Sequence, residues 1–143
     1  MQTISQNSEP LTRQNRIVFS RHLNSIGTLF GGEAMQWLDE VALITATRYT
    51  RQRMVTVKIE QVSFLRPIMP NSILDINGRI VKTNHVKIFI NVDVYSEDMY
   101  SLNREKVMEA DFIFASLGEE LGFVGLLGIF ILYFLILYQI LKI

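Results

Sequence analysis

Cysteine is absent from the 143 residues of the chain, and neither sign of charge is in excess. Without cysteine there can be no disulfide-stabilised scaffold, no thiol nucleophile and no thiolate metal site. The 14 lysine and arginine residues balance 14 aspartate and glutamate residues, which argues against nucleic acid or another anionic surface as a partner. The length favours a single domain with a modest core.

The N-terminal segment, residues 1–10, lacks the apolar run of a secretory signal peptide. We therefore expect a flexible lead, and a cytoplasmic location for the domain after it. Residues 121–141, in contrast, carry no charge and only Gln139 as a strongly polar side chain. Because a helix of about 20 apolar residues spans a bilayer, this run predicts a transmembrane-like tail at 118–143, the one part of the chain expected to meet a membrane.

Between these ends the hydrophobic periodicity predicts a short strand, one long helix and then four antiparallel strands. The helix, residues 33–50, contains neither glycine nor proline. The predicted strands are 16–19, 54–65, 73–81, 86–95 and 106–117. Residues 82–85 are predicted to form a hairpin turn, in which Asn84 tolerates a left-handed backbone. One helix followed by a strand meander implies an α+β fold whose curved sheet wraps around the helix.

The predicted helix has a narrow polar stripe, and Asp39 lies outside it. The stripe consists of Glu33, Gln36, Glu40 and Thr47, and Asp39 is about 100° away when the helix is projected at its normal period. A carboxylate among apolar neighbours is costly to desolvate, so Asp39 needs either a hydrogen-bond partner or a catalytic role. The alternative is an aspartate at the helix edge, on the rim of a dimer contact.

The segment GTLFGG, residues 27–32, comes directly before the helix. Gly31 and Gly32 would leave backbone N–H groups exposed at the positive helix end, where an anion or a developing oxyanion can bind. Alternatively, the glycines only allow a tight turn into the helix.

The combined pattern resembles the signature of the cytosolic acyl-CoA thioesterases, which have the hotdog fold. The resemblance covers residues 11–117 and is carried by HLNSIGTLFGG at 22–32, by Met35, Trp37, Asp39 and Glu40, by VTV at 55–57 and by FLRPI at 64–68. It implies a sheet around one central helix and hydrolysis of a fatty acyl-CoA to free acid and coenzyme A.

The resemblance also assigns roles to residues. Asp39 would act as general base or nucleophile, and the backbone N–H of Gly32 would polarise the thioester oxygen. Asn24 and Thr28 would orient the water or the carbonyl. The site would form between two subunits, so a homodimer is the smallest working unit, with dimers of higher order left open.

Coenzyme A is expected only as part of the substrate, and no separate cofactor or metal is predicted. The residues expected to contact it are Gly31, Thr56, Arg66, Lys82 and Lys87. The three basic residues would serve its phosphates, unless they are ordinary exposed charges. His22 and His85 are too far apart in sequence to suggest a pair of metal ligands.

The tail has a different resemblance. Residues 111–143 are similar to a segment of the rod-shape and cell-division membrane glycosyltransferases that polymerise peptidoglycan. Either the tail anchors a thioesterase to the membrane, or the chain is a chimaera. Lys142 after the apolar run and Glu119 and Glu120 before it would place the thioesterase outside the cell. Acyl-CoA is cytoplasmic, so this orientation favours the chimaera.

Two other functions are left open by the sequence. Hotdog domains also bind acyl-CoA without cleaving it, so the chain could be a binding module. A fragment of the cell-wall polymerase is supported only by the last thirty or so residues. The predicted division of the chain is therefore a lead at 1–10, a thioesterase domain at 11–117 and the apolar tail at 118–143.

Overall fold

The structure, a computed structural model, describes residues 2–3, 9–117 and 119–142, with side chains described for 9–117 and 126–142. A short 3₁₀ turn, Ser20–His22, precedes the long helix. The elements are β1 (Gln2–Thr3), β2 (Thr12–Ile17), α1 (Gly31–Thr50), β3 (Met54–Phe64), β4 (Ser72–Thr83), β5 (Lys87–Asp98), β6 (Arg104–Ser116) and α2 (Glu119–Lys142).

The strands form one antiparallel sheet in the order β1-β4-β5-β6-β3, and β2 also pairs with β4. The outer edge of β4 is therefore shared, since β1 pairs with its C-terminal end and β2 with its first half. At the other side of the sheet β3 pairs with β6 and has no strand beyond it among the described residues. Helix α1 packs against β2 through β6, which confirms the predicted α+β arrangement of one helix held by an antiparallel sheet.

The core lies between α1 and the inner face of the sheet. Its strand residues alternate with polar ones, as a half-buried sheet requires. Fully buried side chains include Leu74, Ile76, Ile90, Val92, Phe112 and Phe114 from the sheet and Leu38, Val41 and Ala42 from the helix. These strands are identifiable from sequence because their alternation has a period of two.

Helix and sheet approach most closely at Gly78 of β4. A Cβ atom at this position would overlap the hydroxyl of Thr45 and lie 3.1 Å from Val41. Thr45 is itself fully buried. Its hydroxyl lies 2.8 Å from the Val41 carbonyl and 2.9 Å from the Thr12 hydroxyl. The missing side chain at Gly78 thus lets α1 lie close to β4.

The predicted strand 16–19 is wrong in position, since β2 spans Thr12–Ile17 and pairs residue by residue with Ile73–Gly78. The polar sequence TRQNRI gives little hydrophobic periodicity, because its side chains alternate mainly between half-buried and exposed positions. The predicted flexible lead is also wrong at Gln2–Thr3, which pair with β4. Residues 1 and 4–8 of that lead lie outside the described residues. The other predicted boundaries agree with the structure to within about three residues.

The predicted hairpin turn joins β4 to β5, but Asn84 does not use the left-handed backbone that asparagine tolerates. Among the described residues, the non-glycine positions with positive φ are Arg51, Gln61 and Asn71. Asn84 makes the turn through its side chain instead, because its Oδ1 accepts the N–H groups of Val86 (3.0 Å) and Lys87 (2.7 Å). This is the local side-chain bond by which asparagine favours turns.

The apolar tail forms the helix α2, and its side chains at 126–142 are all exposed. Over the part of the chain that the structure describes, no helix is long and apolar enough to span a membrane. The helical part of the tail prediction is confirmed, whereas its transmembrane part has no support.

Candidate functional site

Asp39 lies half-buried on α1 and has a hydrogen-bond partner on the neighbouring strand. The hydroxyl of Thr56 donates to its Oδ1 at 2.8 Å. In the described residues Asp39 takes part in no ion pair. The carboxylate is thus oriented by a neutral donor, and its second oxygen is not held by a cation.

A β-bulge in β3 lies directly after Thr56. The pairing with β6 runs from Thr56 opposite Phe114 to Lys58 opposite Ile113, so Val57 is the extra residue. A bulge bends its strand and changes the direction of neighbouring side chains. The bulge therefore contributes to the local backbone geometry at the residue that contacts Asp39.

The loop before α1 closes on itself as a small hairpin. The Phe30 N–H donates to the His22 carbonyl at 2.9 Å, and Leu23 and Leu29 form an isolated antiparallel bridge. At the tip, Gly27 has a φ of +83° and is the described glycine with a left-handed backbone. Gly27 at the tip of the hairpin is therefore required for its backbone conformation, whereas Gly31 and Gly32 at the start of the helix are not.

Asn24 holds this hairpin together through both ends of its side chain. Its Oδ1 accepts the N–H groups of Ile26 (3.0 Å) and Thr28 (3.1 Å), and its Nδ2 donates to the Thr28 hydroxyl at 2.9 Å. One hydrogen of the Nδ2 amide is left after these bonds, because a side-chain amide has two. Asn24 and Thr28 are therefore neighbours, and their hydrogen bonds stabilise the loop.

Helix α1 begins at Gly31 with backbone donors that no side chain caps. Phe30 is the capping residue and makes no side-chain hydrogen bond, and the first helical bond runs from Ala34 N–H to the Phe30 carbonyl at 3.1 Å. The N–H groups of Gly31 and Gly32 thus have no partner within the helix. A Cβ at Gly32 would lie 2.5 Å from the Phe30 ring, so a steric reason for glycine exists beside the electrostatic one.

A cavity of about 310 Å³ opens beside the start of α1. Its lining consists of Asn24, Thr28, Leu29, Gly31, Ala34 and residues 64–68. The structure therefore brings four of the predicted site residues to one place: Asn24, Thr28, Gly31 and Arg66. Asp39, Thr56 and Gly32 do not line this cavity.

The two predicted catalytic positions on α1 are well separated within one chain. Gly32 and Asp39 are seven residues apart on the same helix, which corresponds to about 10 Å along its axis at roughly 1.5 Å per residue. A carbonyl with one contact of about 3 Å to its oxygen and another to its carbon spans roughly 7 Å, which is less than this separation.

The predicted basic residues do not form a single patch. Arg66 pairs with Glu105 (3.1 Å) and bonds through its backbone N–H to Val107, whereas Lys87 lies opposite Ala115. Val107 and Ala115 are about 27 Å apart, at about 3.4 Å per residue of strand. Lys82, near Lys87, lies over the Phe89 ring at 4.2 Å.

A further cavity of the described residues, with a volume of about 840 Å³, lies on the face of the sheet opposite α1. It is lined by polar side chains that pair with one another, including Arg79 with Asp93 and Lys106 with Glu109 (2.8 Å). Asn77 and Asp93 are buried there and bonded at 3.1 Å. This network was not predicted, because it is assembled from single residues on separate strands. None of the predicted site residues lines it.

A family model described as Thioesterase superfamily matches residues 26–102, more than half of the chain. The chain belongs to the Thioesterase superfamily. The matched region runs from the Gly27 turn through α1 into the β5–β6 connection. It contains Thr28, Asp39 and Thr56, and begins after His22 and Asn24.

Relatives of this thioesterase are named as acyl-CoA thioester hydrolases. YciA of Salmonella typhimurium is 33% identical over 68% of this chain and 75% of its own length. An uncharacterised acyl-CoA thioester hydrolase of Zymomonas mobilis is 29% identical over 82% of this chain and 83% of its own.

Solved thioesterases share the fold. A hexameric thioesterase of Yersinia pestis superimposes with a TM-score of 0.70 at 26% identity, covering 82% of this chain and 93% of the other. An acyl-CoA hydrolase of Staphylococcus aureus, solved with butyryl coenzyme A, coenzyme A and coenzyme A disulfide, gives a TM-score of 0.72 at 28% identity over 76% and 66% of the two chains.

A second family model, described as Cell cycle protein, matches residues 105–143. The match agrees with the resemblance of the tail and also includes nearly all of β6. In the thioesterase sheet β6 nevertheless pairs with both β5 and β3, and its Phe112 and Phe114 are fully buried. This strand is therefore an integral part of the fold.

Proposed function

We propose that this thioesterase hydrolyses acyl-CoA to free acid and coenzyme A, with Asp39 as general base or nucleophile. The proposal rests on the Asp39 carboxylate, which is half-buried and accepts a hydrogen bond from the Thr56 hydroxyl at 2.8 Å. Among the described residues, this carboxylate forms no ion pair. The names of the relatives support the substrate class.

The solved relatives add support for the pair of residues. Two of the similar Staphylococcus aureus structures are mutants, one with an aspartate and one with a threonine replaced by alanine. The two mutated positions are 17 residues apart in that chain, the same separation as Asp39 and Thr56. The pair studied there thus has the spacing of the hydrogen-bonded pair here.

The reaction needs a nucleophile and a site for negative charge. Asp39 removes a proton from water, or attacks the thioester carbon itself. The carbonyl oxygen becomes an oxyanion, which the uncapped N–H of Gly32 stabilises at the positive end of α1. Asn24 and Thr28 orient the carbonyl or the water. The C–S bond then breaks and coenzyme A leaves as the thiolate. On the base route this thiolate takes back the proton that Asp39 removed from water; on the nucleophile route water hydrolyses the acyl-aspartyl anhydride, which releases the acid and restores Asp39. Coenzyme A is therefore part of the substrate, and no separate cofactor takes part.

The separation of about 10 Å between Gly32 and Asp39 argues that each site combines two subunits. The N–H of Gly32 from one chain and the Asp39 carboxylate of another would then act on the same thioester. The free edge of β3, with Val55, Val57 and Ile59 between 40% and 50% exposed, is the surface by which we propose that two copies join. Thioesterases described as hexameric among the similar structures support assembly beyond the dimer.

Coenzyme A contacts are proposed at the cavity beside α1. Gly31 and Arg66 line it, and Arg66, 65% exposed in its side chain, is free to exchange Glu105 for a phosphate. Thr56 would contact the acyl thioester next to Asp39. Lys82 and Lys87 lie near the C-terminal end of β6, far from Arg66. They would therefore bind the phosphates of a different coenzyme A molecule, either a second one on the same chain or one bound mainly by the other subunit.

The test uses the full-length chain, a panel of acyl-CoA chain lengths and release of the free thiol. Asp39→Asn keeps the shape of the side chain and removes the base, so kcat is expected to fall at least about a hundredfold while acyl-CoA still binds. Unchanged turnover in Asp39→Asn would exclude Asp39. A wild-type chain that binds acyl-CoA but releases no thiol would instead be a binding module.

Mixed dimers test the shared site. Asp39→Asn and Gly32→Ala chains are each expected to be inactive, since the first lacks the base and the second forces Cβ against the Phe30 ring. In a refolded 1:1 mixture, half of the dimers are hybrids with one intact site, so about a quarter of wild-type activity should return. No recovery in hybrids shown to have formed would mean that each chain carries a complete site.

A further inference from the structure

The loop that carries Asn24 contacts α1 through the ring of His22. The ring centroids of His22 and Trp37 are 4.9 Å apart, and the rings are nearly perpendicular at 88°. Trp37 is only 3% exposed. This edge-to-face geometry is a favourable arrangement for aromatic rings, and it joins the base of the loop to the second turn of α1.

Trp37 is itself held on a second side. The guanidinium carbon of Arg16, on β2, lies 4.9 Å from the Trp37 ring centroid, and Arg16 forms an ion pair with Glu40 at 2.8 Å. A guanidinium stacked on an indole and paired with a carboxylate of the same helix restricts both side chains. The surface against which His22 packs is therefore fixed.

The orientation of the His22 ring is fixed as well. Its Nδ1 accepts the Phe19 N–H at 3.1 Å, and the His22 N–H donates to the Phe19 carbonyl at 3.0 Å. The imidazole is thus bonded to the 3₁₀ turn on one side and packed on Trp37 on the other.

His22 is also the first residue of the hairpin. Its carbonyl accepts the Phe30 N–H at 2.9 Å, and Asn24 is two residues further along the chain. Phe30 directly precedes Gly31 and Gly32, whose N–H groups are uncapped. A shift of His22 would therefore move the Asn24 side chain and the start of α1 together.

We propose that His22 is a positioning residue of the thioesterase site, whose ring contact with Trp37 fixes the loop that presents Asn24, Thr28 and the helix N–H groups to the thioester carbonyl. The inference rests on the proposed function of those groups. His22 touches neither Asp39 nor the cavity lining in the described contacts, so it acts through the loop. Misplacing a catalytic group by about 1 Å can cost about a hundredfold in rate.

Two substitutions separate the contacts of His22. His22→Asn can still accept the Phe19 N–H, because its Oδ1 occupies nearly the place of Nδ1, but it lacks the ring. His22→Phe keeps a ring against Trp37 and loses the acceptor. Since oxyanion donors act in the transition state, kcat is expected to fall about tenfold or more in His22→Asn and in His22→Ala, with KM within about twofold. His22→Phe should stay within about threefold of wild type.

Thermal unfolding of each variant shows whether it is folded at the assay temperature. The control variant is Tyr100→Ala, since Tyr100 is 89% exposed in the β5–β6 turn. If folded His22→Asn and His22→Ala keep wild-type kcat, the inference is overturned. It is also overturned if His22→Phe loses as much kcat as His22→Ala, because the ring contact would then not matter. Where His22→Ala does not fold, the comparison of His22→Asn with His22→Phe decides alone.

The proposed function is tested in the same assay by Asp39→Asn. If Asp39→Asn retains turnover, the proposed function fails whatever the His22 variants do. If Asp39→Asn is inactive and the His22 variants are unchanged, only the positioning role of His22 fails.

Discussion

Thr56 is the one described side chain that bonds to the Asp39 carboxylate, at 2.8 Å. Thr56→Val keeps the branched shape and removes the hydroxyl, so the carboxylate loses its orientation. Hydrogen bonds to charged groups contribute about 1.5–3 kcal/mol, and we expect kcat/KM to fall by about tenfold to a hundredfold.

Thr56→Ser is the matched control for this prediction, because serine keeps the hydroxyl and should retain most of the activity. Steady-state thiol release for both variants is the measurement. Equal losses in the two variants would show that the methyl group, rather than the bond to Asp39, is what matters.

Glu109 and Lys106 make the stability of the sheet depend on pH. Burial raises the pKa of Glu109, but the hydrogen bonds from Lys106 (2.8 Å) and Asn91 (3.0 Å) outweigh it, so that the pKa lies below its ordinary value of 4.5. The same bond from Glu109 holds the pKa of Lys106 above its ordinary 10.5, against the opposing effect of burial. The pair is therefore ionised over a wide range around neutral pH.

Glu109→Gln is expected to lower the urea midpoint of unfolding at neutral pH. Because the folded pKa of Glu109 is lowered, its contribution is fully present above pH 4.5 and is lost as the pH falls through the folded value. The contribution of Lys106, whose pKa is raised, is present below pH 10.5 and is lost as the pH rises further. The difference between wild type and Glu109→Gln should therefore shrink on acidification, and a difference that grows would contradict the assignment.

At the residue scale the sequence indicates which side chains are candidates for a functional site, but not which of them are in contact in the fold. Asp39 stands out because the helical period places it outside the polar stripe, among apolar neighbours, and because the GTLFGG motif comes directly before its helix. Its partner Thr56 is 17 residues away on another element, a contact that local periodicity cannot predict. The role of His22 likewise depends on Trp37, 15 positions along the chain.

At the scale of elements, the free edge of β3 is the feature that can be tested by a single charge. Val57 is 50% exposed on this edge, next to other apolar side chains. A lysine there would place a charge in the proposed contact between copies, and natural sheets use edge charges to prevent such pairing. We expect Val57→Lys to shift the protein toward smaller species in sedimentation velocity and to reduce thiol release.

Val86→Lys provides the control, since Val86 is equally exposed (51%) but lies in the β4–β5 turn. It should keep the wild-type sedimentation coefficient and activity. A Val57→Lys protein that remains in the wild-type assembly would exclude this edge as the contact.

The elements differ in how well the sequence predicts them. β4, β5 and β6 are recognised because their buried faces alternate with polar residues. β2 is not, because its six residues are held mainly by backbone pairing with β4 rather than by a run of apolar side chains. The order of the strands also needs tertiary information, since β3 pairs with β6 rather than with its neighbour in sequence.

At the scale of the whole molecule, the chain combines a thioesterase domain with a helix whose described side chains add nothing to its core. Those side chains of α2, at 126–142, are all exposed, whereas β6 supplies the buried Phe112 and Phe114. The backbone N–H of Leu117 donates to the Arg53 carbonyl at 2.9 Å. A truncation that preserves the domain should therefore end at Leu117.

Removal of residues 118–143 is therefore expected to leave the thermal midpoint unchanged to within about 2 °C, since it removes no described core contact, and to preserve kcat/KM. Removal from residue 105 onward is the contrasting truncation, which should abolish folding because β6 pairs on both sides. A large loss of activity in the shorter deletion would show that α2 takes part in the working assembly.

The pairing of β3 with β6 has a consequence for biosynthesis. About 40 residues separate the end of β3 from the start of β6, and at a synthesis rate of about 5–20 residues per second the ribosome needs roughly 2–8 s to make them. During that interval β3 has been translated while its partner strand has not. The nascent chain therefore carries an unsatisfied, apolar strand for seconds, the period in which binding by a chaperone would most improve the yield of folded protein.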